Sequence, residues 1–186
     1  NMNNISYEWQ VEKSSFINAN IENGSGNKIE GINLTNTSDS VGYVKYTITP
    51  KTSTCDGKPV DFTIYVCPEI IVEQPNDIVL KHGEQSGVIN FKSNIKNQTV
   101  KYNWTCDRPE IGLAANGNGN LPLFIATNNT NEAITATITV LPEIASADFN
   151  CVGNSQSFKI TILPEVEVNQ IQDYMLCNKQ TFDSLI

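Results

Sequence analysis

The residues of this chain best suited to chemistry are five cysteines, Cys55, Cys67, Cys106, Cys151 and Cys177, and a single histidine, His82. No two cysteines form a C-x-x-C pair, and only His82 could add a nitrogen ligand, so a zinc site is not expected. A hydrolytic nucleophile would have to be built around His82, yet no serine stands in a G-x-S-x-G or comparable context. His82 follows Lys81 in a polar run and reads as a solvated loop residue. Asn-Gly-x-Gly-Asn occurs at 23–27 and 116–120, but it neither opens a helix nor carries the lysine of a phosphate-cradling loop, so it reads as a plain turn. Asp77 and Asp173 are equivalently placed beside Glu69 and Glu165, where calcium at a module junction is physically reasonable, but without a dense D-x-D-x-D ladder they read as carboxylates facing water. Catalytic, cofactor-binding and metal-binding residues are therefore all expected to be none. An odd cysteine count leaves at least one without a partner inside this chain, either bonded to a neighbouring module or held as a buried thiol.

These sparse side chains sit on a repeated frame. Residues 135–166, TATITVLPEIASADFNCVGNSQSFKITILPEV, alternate apolar and polar, break at a polar loop, alternate again and stop at a proline. Period-two alternation means a half-buried strand, and two such runs across a Gly-containing loop mean a hairpin. Residues 46–70, YTITPKTSTCDGKPVDFTIYVCPEI, repeat the pattern: Phe62, Ile64, Val66, Pro68 and Glu69 return as Phe158, Ile160, Ile162, Pro164 and Glu165, each 96 positions later. Tyr7 and Trp9 return as Tyr102 and Trp104, 95 positions on. Thr47-Ile48-Thr49 returns as Thr137-Ile138-Thr139 only 90 positions on, which makes the first copy five residues longer in its middle and the second six longer in its last loop. Asp56-Gly57 and Val152-Gly153 fall at equivalent hairpin positions, where glycine can take positive φ.

Between the copies, residues 70–91 read as two strands around a polar turn at 81–85. Val72, Gln74, Asp77 and Leu80 come back as Val168, Gln170, Asp173 and Leu176. The expected division is a module lacking its opening strands at 1–69, a complete module at 70–165, and the start of a third at 166–186.

Charged residues are 17% of the chain, and β-branched residues and Asn are abundant, which favours strands and turns over helices. The net charge of −8 offers no basic footprint for nucleic acid. No apolar run approaches the roughly 18 residues of a membrane span, so a soluble chain, or a soluble part of a larger one, is expected. Short strands with turn signals every ~8–12 residues describe an all-β, immunoglobulin-like antiparallel sandwich, repeated in tandem. Trp9 and Trp104 fall where such a sandwich buries a tryptophan on its third strand, with Phe62, Ile64 and Val66 as the inward row of the last strand.

The phrase YNWTCDRPEIGLAANGNGNLPLFIATN, followed by ITATITVLP and NCVGNSQSFKITILPEV, resembles the PKD-like repeats of very large Bacteroidota surface proteins, gliding-motility adhesins among them. The resemblance is most specific over 111–128 and covers the central copy nearly end to end; the first copy keeps the glycine turn but lacks the IGLAA and Pro-x-Phe elements. It implies export, commonly by the type IX route, an extracellular or cell-surface place, a stalk or adhesive role, and no catalysis. The expected partners are neighbouring modules of the same chain, with surfaces or glycans as further contacts. The alternative from another class is a noncatalytic binding module of a secreted glycan-active enzyme. The phylum is associated with O-glycosylation at Asp-Ser/Thr before an apolar residue, which singles out Ser40 and Ser184. Most of the seven Asn-x-Ser/Thr triplets read instead as accidents of an Asn- and Thr-rich composition.

Strand order yields a further expectation. In an immunoglobulin-like sandwich the last strand ends at the pole facing the next module, and the loop before it lies at the opposite pole. Cys67 ends the last strand of the first copy and Cys151 lies in that loop of the second, so both belong to one junction. Cys55 and Cys67 lie at opposite ends of one strand, roughly 23 Å apart at about 3.3 Å per residue. A disulfide permits Cα atoms only about 4.4–6.8 Å apart. A Cys67–Cys151 staple is therefore expected, and Cys55 would reach toward a module upstream.

Overall fold

Twelve short strands carry the alternation through the computed structural model, which describes residues 5–166 and, beyond them, only Met175, Cys177, Asn178 and Thr181. The N-terminal half contains β1 (Ser6–Lys13), β2 (Ile17–Ala19), β3 (Gly24–Gly26), β4 (Leu34–Asn36), β5 (Gly42–Lys51) and β6 (Val60–Val66). The C-terminal half contains β7 (Ile78–Lys81), β8 (Lys101–Cys106), β9 (Asn116–Asn118), β10 (Ile134–Ala145), β11 (Asn150–Val152) and β12 (Gln156–Leu163). One 3-10 turn, Pro109–Ile111, is the only helical element among the described residues.

The chain is all-β with antiparallel sheets, in keeping with a PKD- or immunoglobulin-like sandwich. One sheet runs β3-β1-β5-β6, and another β7-β12-β10-β8-β9 with β11 on β10. A single pair, β7 along β12, is parallel. The second layer of the C-terminal half is a sparse ladder rather than a regular sheet. It comprises bridges Val72–Ser93, Gln85–Ile125 and Ile89–Leu121. Layer one contributes Trp104, Ile138, Phe158 and Ile160 to the core and layer two contributes Phe91, Leu121 and Phe124, all buried. Each such side chain stabilises the fold by roughly 1.5–3 kcal/mol. The N-terminal half has its own smaller core around Ile17, Val44 and Tyr46.

The two halves share their pairings more closely than their letters. Trp9 stands opposite Ile48 and Trp104 opposite Val140. Tyr46 pairs with Phe62 and Ile138 with Phe158. The equivalent positions are thus 92 apart in this strand, and the Thr-Ile-Thr match at 90 is a coincidence of letters that the register corrects. A slip of two residues keeps every side chain on its own face, so alternation alone could not have detected it.

Three further expectations are corrected. The Asn-Gly-x-Gly-Asn runs are not plain turns: β3 and β9 are short strands beside the tryptophan strands, with Trp9 paired to Gly24 and Trp104 to Gly117. A Cβ on Gly117 would lie 2.2 Å from the Trp104 ring, and one on Gly24 2.8 Å from that of Trp9. Bare glycine lets the indole lie against the backbone. Gly57 and Gly153 do not adopt positive φ, and close approach explains them instead. A Cβ would sit 2.5 Å from Pro50 Cγ at Gly57, and 2.5 Å from the Ile70 carbonyl oxygen at Gly153. Finally, the N-terminal half is less covered: Trp9, Ile64 and Val66 are only half-buried and Phe62 is 56% exposed, whereas Phe158 is 2% exposed. Phe158 is packed edge-on by Phe91, with ring centroids 6.3 Å apart, and β7 lies beside its strand. β6 is the edge of its sheet, with no such neighbour among the described residues.

Two asparagines passed over in the sequence pin the last strands. Asn128 is buried; its Nδ2 donates to the Ile162 and Glu132 carbonyl oxygens, at 2.8 and 2.7 Å, and its Oδ1 accepts from Thr130 N at 2.9 Å. Asn36 does the same with the carbonyl oxygens of Val66 and Ser40, both at 2.8 Å, and with Ser38 N at 2.9 Å. Their Asn-x-Ser/Thr spacing is a turn-forming device in which the downstream backbone N–H reaches the amide oxygen.

Candidate functional site at the Cys67–Cys151 junction

The site worth building is where the two halves meet. β6 ends at Val66, and the chain passes through Cys67 and Pro68 into the C-terminal half, so Cys67 lies at the pole of one half that faces the other. Cys151 comes from β11, the short strand folded back on β10, where it pairs with Ile144 and is 1% exposed. The Cα atoms of Cys67 and Cys151 are 5.5 Å apart and their sulfurs are joined at 2.04 Å. Cys55 is exposed and Cys106 is buried, its thiol pushed up by that burial. Cys177 is exposed.

Around the disulfide is a small apolar cluster of its own, made by Ile70, Ile95, Ile144 and Cys151, with Val41 of the N-terminal half packed against it. Tyr65 on β6 meets Phe149 in the loop before β11 with ring centroids 5.2 Å apart. Such a tilted pair contributes about 0.5–1.5 kcal/mol beyond its area. On another side Asp39 crosses to the C-terminal half, accepting from Asn97 Nδ2 at 2.8 and 3.0 Å and from Lys96 N at 3.2 Å. The Asn97 amide, and after it the Lys96 N–H, hold the Asp39 carboxyl below its ordinary value, because both hydrogen bonds favour the charged form. A covalent bond, an aromatic pair, an aliphatic cluster and a charge-assisted hydrogen-bond fork thus converge on one junction. Chemically this arrangement can hold the two halves together.

The remaining sequence candidates fall elsewhere. His82 is half-buried rather than solvated: its Nδ1 accepts from Asn128 N at 3.0 Å, so it belongs to the turn that carries Asn128. Asp77 accepts from Lys159 N at 2.7 Å and so serves strand pairing. No cluster of three or more His, Cys, Asp or Glu able to hold a metal occurs among the described residues. Ser40 is half-buried beside the junction, its hydroxyl 3.5 Å from Asp39 Oδ1. Ser184, Asp173 and most of the expected third module lie outside the described residues. The Asp39–Asn97 fork was invisible in the sequence, since nothing in one loop names a partner 58 residues away.

No helix among the described residues is long and apolar enough to cross a membrane. No curated protein matches the chain. Residues 1–70 match the family model of the PKD-like domain, the half in which the sequence phrase was weakest.

Proposed function

We propose that this chain is a structural segment of a large secreted cell-surface adhesin, built of PKD-like modules in tandem, with divisions near 69 and 165. PKD-like domains are noncatalytic modules that are typically extracellular, and the match over 1–70 supports that class. The observation that carries the reading is the junction: a disulfide, an aliphatic cluster and a hydrogen-bond fork join one half to the other. A linker without a Gly/Ser run, fastened by a cross-link and a fork of hydrogen bonds, suits a stalk that must keep its direction. On this reading Cys67–Cys151 is a staple, the oxidising exterior preserves it, and the array extends outward to meet surfaces or glycans. O-glycosylation at Ser40 or Ser184 belongs to the same proposal. Antibody raised against the chain tests it on the cells that produce the protein. Staining of intact cells is the expected result, and staining only after permeabilisation overturns the reading.

A further inference from the structure

The run 67–81 performs a set of docking steps on the C-terminal half. Cys67 bonds Cys151. The Ile70 carbonyl lies over Gly153 and accepts from Asn154 N at 3.4 Å. Gln74 Nε2 donates to the Ser157 carbonyl at 2.8 Å, Asp77 takes the Lys159 N–H at 2.7 Å, and β7 runs parallel along β12.

The N-terminal half presents the matching receptor, uncovered by the described residues. Cys55 and Cys151 are equivalent by geometry as well as by the shared Cys-x-Gly. Lys51 bridges Asp56 where Glu143 pairs with Val152. Gly57 N donates to the Pro50 carbonyl at 2.7 Å where Gly153 N donates to that of Pro142 at 2.9 Å. Cys151 is 1% exposed beneath its partner, whereas Cys55 is exposed, with Thr52 Oγ1 3.3 Å from its sulfur. Along β6, Phe62 and Thr63 stand where Phe158 and Lys159 stand on β12; Phe62 is 56% and Val60 64% exposed. An exposed sulfur, a bare glycine, an apolar row and a strand edge without a neighbour among the described residues thus line up in the order that residues 67–81 would meet them. A row of unpaired backbone groups along an edge is a template for a further strand.

We infer that the face formed by Cys55, Gly57 and β6 is a docking site for the end of another module's last strand. Its occupant carries a cysteine at the position of Cys67, followed by an extended segment with the chemistry of residues 67–81. That segment pairs parallel to β6, covers Phe62 and forms a disulfide with Cys55. A second copy of this chain is excluded as the source, because its own Cys67 is already bonded to Cys151. The inference rests on reading the halves as modules.

The test uses the full chain carrying Cys177→Ser and the synthetic peptide CPEIIVEQPNDIVLK, its cysteine supplied as the mixed disulfide with glutathione. The Cys55 thiolate attacks the peptide sulfur, the old S–S bond breaks, and glutathione leaves as thiolate, so no external oxidant is required. Docking raises the local concentration of that sulfur, and capture at Cys55 should run about tenfold or more faster than for a scrambled peptide with the same leading cysteine. The conjugate should also protect the Thr63 amide from hydrogen exchange. The Phe62→Ser variant should lose the rate advantage while still reacting at the scrambled-peptide rate. Equal rates for both peptides, an undiminished advantage in F62S, or capture without protection along β6 would each overturn the site. Whether the halves unfold separately tests the module reading independently, so failed capture alongside separable unfolding sinks this inference alone.

Discussion

Removing the Cys67–Cys151 bond should weaken one half and spare the other. The cysteines are 84 positions apart, and the loop they close, 68–150, lies almost wholly within the strands and core of the C-terminal half. While the N-terminal half stays folded, Cys67 is a fixed anchor, and unfolding the C-terminal half releases a loop still tied at both ends. In the chain-entropy account that tie lowers the entropy of the unfolded loop by about 2.1 + 1.5R ln n cal/mol/K, which stabilises the folded half by about 4–5 kcal/mol at 25 °C for a loop of this length. Unfolding the N-terminal half alone releases no such loop, and its stability should change by less than about 1 kcal/mol, from lost junction contacts. The Cys67→Ser, Cys151→Ser double variant tests this by urea titration. Trp9 and Trp104 are the two tryptophans, one in each half, so their indole N–H resonances report the two transitions separately. With a urea slope of about 1–3 kcal/mol per molar, the Trp104 midpoint should fall by more than about 1 M, and the Trp9 midpoint should barely move. Equal losses in both halves, or a Trp104 change worth under about 1 kcal/mol, would refute the reasoning.

Other perturbations probe individual contacts. Gly117→Ala forces a methyl to within 2.2 Å of a buried indole and should cost about 1–3 kcal/mol, more than Gly24→Ala beneath the half-exposed Trp9; denaturation midpoints of the two variants check the order. Asn128→Ala removes both donors to the Glu132 and Ile162 carbonyl oxygens and should destabilise the C-terminal half by about 1–3 kcal/mol, whereas a neutral result would deny its pinning role. Because the folded-state pKa of Asp39 is depressed, its contribution to the junction is present above the ordinary carboxylate value and is lost as pH falls through the lowered one. The Lys96 and Asn97 amide shifts should therefore titrate together with a midpoint below the ordinary aspartate value, and a midpoint at or above it would contradict the fork.

How far the sequence was legible depended on the range of the signal. Alternation announced the strands, because a half-buried strand must show it, and the 95- and 96-residue spacings suggested a repeat. Register was beyond it: Thr-Ile-Thr could be slid by two residues at no cost to the pattern. The role of Gly24 and Gly117 was hidden for a different reason. A glycine opened by φ and a glycine opened by an indole look identical in a row of letters. The burial of Phe62 was overstated because alternation says which face a side chain takes and not what covers that face. Asn36 and Asn128 were legible as triplets but read as accidents, since their use appears only when Val66 and Ile162 arrive from 30 and 34 residues away. The Asp39–Asn97 fork depends on two loops meeting, which no local pattern encodes.

Residual dipolar couplings measure most directly whether the junction between the halves is fixed. Couplings for the amides of β1, β5 and β6 and for those of β8, β10 and β12 would be collected from one aligned sample of the oxidised chain. A rigid junction requires one alignment tensor, of a single magnitude and orientation, to fit both sets together. Two tensors of different magnitude, each fitting only its own half, would mean that the halves reorient independently and would contradict the account.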